Sequence, residues 1–122
     1  MLVPHGEVTA DWRLKASEQA KSINSVALRT NMGLVLEKAN YDRDPQGFPA
    51  SNAFQKSVIL LTDGMVDISR DAETNQRERE RLLNEILPEY QSAGVAIHTI
   101  ALSRNADIDL LQSLSRATNG IF

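Results

Sequence analysis

The order of apolar and polar positions divides the chain into helical and strand-like segments. Leu2 and Val3 read as the tail of a strand that Pro4 and Gly6 stop. Thr9 or Asp11 supplies an N-cap, since either side chain accepts from free helix N–H groups. A helix is predicted from there to about Ile23, with Trp12, Ala16, Ala20 and Ile23 on one weakly apolar face. Ser25 to Asn31 reads as a connection, with Thr30 or Asn31 capping a second helix. There Met32, Val35, Leu36 and Ala39 recur at helical spacing and form an apolar stripe. From Asn40 to Lys56 the pattern breaks down into turn formers, with Asp44-Pro45, Gly47, Pro49 and Ser51-Asn52.

Ser57 to Thr62 changes the period. Its four consecutive apolar residues, two of them β-branched, predict a strand covered on both faces, as in a parallel sheet. Asp63-Gly64 ends it. Leu82, Leu83, Ile86, Leu87 and Tyr90 mark an amphipathic helix. Its first half carries the alternating charges Arg77 to Arg81, read as a solvated face with local ion pairs. Pro88 is expected to kink or divide this helix, because it lacks an N–H and crowds the preceding turn. Gly94 closes it as a C-cap. Val95 to Leu102 reads as a second buried strand. Asn105 or Asp107 caps a last helix, with Leu110, Leu111, Leu114 and Ala117 inward. Asn119-Gly120 ends that helix, and Ile121-Phe122 begins a further strand.

Strand, helix, strand, helix, strand start is the order of right-handed βαβ units. It predicts an α/β fold with a mostly parallel sheet and helices on both faces. Ligands of such sheets bind beyond the carboxyl ends of the strands. Asp63 therefore falls on the candidate functional edge.

Bulk properties narrow the classes. With 122 residues, a single domain is the default. A net charge of -3 argues against a phosphate-binding surface, so no nucleic-acid partner is expected. The absence of cysteine excludes disulfides and thiolate metal sites. No apolar run approaches the roughly 18 residues that cross a bilayer. The sequence shows neither a P-loop, nor a nucleophile elbow, nor a His-rich metal cluster.

Four segments resemble the von Willebrand factor A (vWA) family. Ile59 to Gly64, ending in Thr62-Asp63-Gly64, resembles its fourth strand. Ala93 to Leu102 is similar to its fifth strand, entered through Gly94. Asp109-Leu110-Leu111 through Ala117-Thr118-Asn119-Gly120-Ile121-Phe122 is similar to the helix that leads to its last strand. Leu28 to Gly33, leading to Leu36-Glu37-Lys38-Ala39, is similar to the loop that carries a metal-binding threonine. The four occur in family order and cover most of Ser25 to Phe122. The resemblance implies a Rossmann-like vWA fold spanning residues 1–122 as a partial domain. The family's first strand, first helix and at least one edge strand would precede Met1.

The resemblance further implies a metal-ion-dependent adhesion site (MIDAS) for Mg²⁺ or another divalent cation. Thr30 matches its threonine and Asp63 its later aspartate. Its Asp-x-Ser-x-Ser motif does not occur in these residues, so this chain carries two of five ligating side chains. Hard cations prefer several oxygen donors, and two give poor affinity. The implied function is protein–protein recognition, with a partner's acidic residue completing the metal coordination and no bond-making step. Asn31, Gly64 and Asp67 would form the partner-binding edge. The parent is implied to be exported or membrane-anchored.

Plainer readings stand beside these. Asp63 also fits an Asp-Gly turn, and Thr30 a helix cap. Asp67, Asp71 and Glu73 read as solvated loop charges near the same edge, and His98 as a hydrogen-bonded core histidine. A vWA-like scaffold with a degenerate metal site is the main alternative. A small hydrolytic enzyme using Asp63 would need a Lys, Ser or His beside it. Lys56 and Ser57 lie about 20 Å away at the far end of the strand, so the chain reads as a binding module and not as an enzyme. Without a first strand beside it, Ser57–Thr62 would present an unpaired apolar edge, which predicts dimerisation.

Overall fold

The computed structural model describes residues 3, 7–23, 29–41 and 56–122. The expected strand tail around Leu2, most of the connection from Ser25 to Asn31 and most of the Asn40–Lys56 loop lie outside them. The elements run α1 (Ala10–Ala20), α2 (Met32–Tyr41), β1 (Ser57–Thr62), α3 (Ala72–Arg81), a π-helical turn (Leu82–Ile86), α4 (Leu87–Ser92), β2 (Ala96–Ala101) and α5 (Ile108–Ala117). The fold is mixed α/β around a two-stranded parallel sheet. β1 and β2 pair from Ser57 opposite Ala96 to Thr62 opposite Ala101.

Local chemistry chooses among the candidate caps. The Thr9 hydroxyl accepts from the Trp12 N–H and starts α1. Asn31, not Thr30, caps α2 by accepting from the Leu34 N–H. Asp107 caps α5 through the Leu110 N–H. Asp71 is also a cap: its carboxylate takes the Thr74 N–H and opens α3, so it is no mere loop charge. Glu73 lies in the first turn of that helix.

Pro88 divides the helix before it, as expected. The Leu87 N–H reaches back five residues to the Leu82 carbonyl, so the turn ahead of the proline is wound as a π-helix. Gly94 adopts φ +63°, a left-handed conformation that costs glycine little, and Val95 N–H then returns to the Tyr90 carbonyl.

One core forms between the helices and one face of the sheet. It contains Met32, Leu36, Leu60, Leu82, Ile86, Tyr90, Val95, Ile97, Leu110, Leu111 and Leu114. Two polar residues complete it. Thr118 donates to the Leu114 carbonyl and accepts from Ile97 N–H, while Thr99 donates to the Leu111 carbonyl. Ala117 and Val35, expected inward, are exposed. In α5 the buried residues are Leu110, Leu111, Leu114 and Ser115, and the C-cap Thr118, one position past Ala117, is buried in its place. No residue of α1 is buried.

The expectation that both strands are covered on both faces is not met among the described residues. Ile59 and Leu61 of β1 are 61% and 55% exposed, and Ile100 of β2 is 45% exposed. These residues share one face by the strand register. The helices pack on the opposite face, so a run of apolar residues here reflects one buried and one open side. Beyond β2, Thr99 N–H donates to the Ile121 carbonyl, so the chain end does lie beside the sheet as expected, though short of a full strand. Gly120 permits that approach: a Cβ there would meet the Ile97 carbonyl oxygen at 1.9 Å.

Candidate functional site

Three loops meet at the carboxyl end of the sheet. The first precedes α2 and carries Arg29, Thr30 and Asn31. The second follows β1 and carries Asp63, Gly64 and Asp67. The third follows β2 and carries Ser103. Thr30 pairs with Asp67 in an isolated antiparallel bridge, with Asp67 N–H donating to the Thr30 carbonyl at 2.9 Å. The Thr30 hydroxyl oxygen lies 3.4 Å from where a Cβ on Gly64 would sit. Two candidate residues 33 positions apart in the sequence, Thr30 and Asp63, are thus brought to one edge.

The β1 end is fixed by its own hydroxyl. Thr62, buried, accepts from the Gly64 N–H at 3.3 Å and tightens the turn. Ser103 ties the third loop to it. Its hydroxyl donates to the Asp63 carbonyl and accepts from the Asn105 N–H. The Asp63 side chain remains exposed. Ser103 therefore engages the backbone carbonyl of Asp63 and not its carboxylate.

Asp67 is solvated, as expected, but it is also paired. Arg29 donates to its carboxylate at 2.9 Å, with both side chains partly exposed. Asn75, on α3, holds the same segment. Its side-chain carbonyl accepts from the N–H groups of Ile68 and Ser69, both at 2.9 Å, and its amide donates to the Ser69 carbonyl at 3.0 Å. Loss of these bonds strands two partly buried N–H groups, so Asn75→Ala is expected to cost about 2–3 kcal/mol. Thermal unfolding and faster amide exchange at Ile68 and Ser69 would record it; unchanged exchange at both amides would contradict this role.

The run Arg77–Arg81 proves more than a solvated face. Arg79 reaches Asp107, 28 residues on, at 2.6 Å. Arg81 bonds Glu78 and approaches Glu37 of α2 at 3.5 Å. These pairs clamp α2 and α5 to α3. Long-range partners of this kind carry no local sequence signal, and neither do Ser103 and Asn75. His98 is half-buried and accepts from the Ile121 N–H through Nδ1, a hydrogen-bonded histidine as expected but at the margin of the core.

As cation donors, the Thr30 hydroxyl and the Asp63 carboxylate are hard oxygens of the kind Mg²⁺ takes, but they fill a minority of an octahedral shell. Among the described residues, no group of three or more His, Cys, Asp or Glu side chains is arranged to hold a metal. A depression of about 240 Å³ lies at the opposite end of the strands, lined by Lys56, Gly94, Ala96 and Asn119 among others. No helix among the described residues is long and apolar enough to cross a membrane. No family model, curated protein or solved structure matches the chain.

Proposed function

We propose that the chain is a vWA-like protein-recognition module, acting by binding and without a bond-making step. The observation that supports it is the meeting of Thr30 with Asp63-Gly64 at the carboxyl edge of a parallel sheet. That is the edge where α/β sheets bind ligands. In this reading Thr30 and Asp63 contribute two donors of a MIDAS-type site for Mg²⁺ or another divalent cation. When bound, the cation supplies a Lewis-acidic point that accepts a carboxylate from a partner protein. Asn31, Gly64 and Asp67 flank that point, with Asn31 holding the start of α2 and Asp67 bridging to Thr30.

The reading is tested with Mn²⁺ as a paramagnetic probe in solution NMR, which registers weak as well as tight binding. The expected result is line broadening centred on the amides of Thr30, Asp63 and Gly64, lost in Asp63→Ala and in Thr30→Ala. Broadening centred elsewhere, or unchanged in both variants, would overturn the metal-dependent reading.

A second reading, a scaffold that binds its partner without metal, is favoured by one observation. The Arg29 guanidinium already neutralises Asp67 beside the edge, which removes a negative charge that would otherwise attract a cation. It predicts no centred broadening at the edge.

A further inference from the structure

The backbone register of β1 identifies which of its polar groups face outward. Leu102 N–H donates to the Thr62 carbonyl and Ala96 N–H to the Lys56 carbonyl. In a parallel ladder, the residues that turn both groups to the neighbour alternate along the strand. Even-numbered residues of β1 therefore face β2, while Ser57, Ile59 and Leu61 turn their N–H and C=O groups to the outer edge, where no strand lies among the described residues. Two of these three, Ile59 and Leu61, are also more than half exposed. Natural edge strands are usually blunted by a charge, a proline or a bulge. Ser57–Thr62 has none of these.

We infer that two copies of this chain pair through β1, antiparallel, about a two-fold axis at Ile59. In that register Ile59 faces its own copy, and Ser57 of each chain faces Leu61 of the other. All the outward backbone groups then find partners, which no shift of the pairing achieves. The charges at the strand ends agree. Lys56 precedes β1 and Asp63 follows it. Antiparallel pairing keeps the two Lys56 side chains at opposite ends of the interface, whereas parallel pairing would set like charges together. The interface is isologous, as a closed two-fold dimer requires. It also joins the two sheets into one four-stranded sheet.

Sedimentation velocity on the 122-residue chain over a wide concentration range tests this. The expected species has twice the 13.5 kDa chain mass, giving way to monomer on dilution. Ile59→Pro removes an outward N–H and leaves the inward ladder intact, so it is expected to abolish the dimer. Ile59→Lys keeps that N–H and sets two like charges at the axis, so it serves if the proline variant does not fold. Amide exchange reads the register directly. The amides of Ser57, Ile59 and Leu61 should be protected at high concentration and lose that protection on dilution, while those of Val58, Leu60 and Thr62 stay protected throughout. A monomer at every concentration, or a dimer that survives both substitutions, would overturn the inference.

Discussion

Tyr90→Ala is expected to cost about 3–5 kcal/mol, the range for removing a fully buried aromatic ring. Tyr90 is 0% exposed and is the largest wholly buried side chain among the described residues. It sits in α4, directly after the π-turn, and its hydroxyl donates to the Leu36 carbonyl of α2 at 2.7 Å. The ring fills the core and the hydroxyl latches a second helix. Tyr90→Phe separates the two effects. It keeps the ring and drops one hydrogen bond, so about 1 kcal/mol is expected. A domain typically has about 5–15 kcal/mol of stability, so the alanine variant should lower the melting temperature by more than about 10 °C. The effect reaches the candidate site, because α2 follows Thr30 and Asn31 directly. A loosened α2 should weaken the contact between Thr30 and Gly64, seen as shifts of their amide resonances. Urea unfolding that gave both variants the same small loss would show that the ring does not hold this core.

Much of the fold was legible because it rests on short-range chemistry. Thr9, Asn31 and Asp107 cap helices with their own side chains. Gly94 and Pro88 act within a few residues of where they stand. The strands show in runs of β-branched and aliphatic residues. Burial was less legible. Val58 to Leu61 says that both faces of β1 are apolar, but Ile59 and Leu61 stay exposed while Leu60 is buried, since the helices cover one side. Val35 and Ala117 were misassigned because hydrophobicity alone does not set helical phase, and the inward position at the end of α5 is its polar C-cap Thr118. What joins the site was hidden further. Thr30 and Asp63 were expected together only through the family resemblance. Ser103, Asn75, and the pairing of Arg79 with Asp107 depend on residues brought together by the finished fold.

Asp107 should show the second large effect. Its side chain is 7% exposed and that of Arg79 27% exposed. It accepts from Arg79 Nε at 2.6 Å and from the Leu110 N–H at 3.0 Å, so one carboxylate caps α5 and ties it to α3. Breaking a buried pair costs about 3–5 kcal/mol, reduced here because Arg79 can partly rehydrate, so about 2–4 kcal/mol is expected for Asp107→Ala. Asp107→Asn keeps a good cap, and should recover about 1 kcal/mol of that loss. Burial pushes the Asp107 carboxyl upward, but the hydrogen bonds from Arg79 and Leu110 and the Arg79 charge outweigh it, leaving it below the usual carboxylate range. A folded-state value depressed in this way adds stability above the ordinary carboxylate range and loses it as pH falls through the folded value. The gap between wild type and Asp107→Asn should therefore be full at neutral pH and close only below that range. Asp107 also ends the loop that begins at Ser103, whose hydroxyl holds the Asp63 carbonyl. Freed from Arg79, that loop should let the Asp63 and Gly64 amides exchange faster in Asp107→Ala. A stability gap that stayed constant down to strongly acid pH would show that the Asp107 charge contributes nothing, and that the cap alone holds α5 in place.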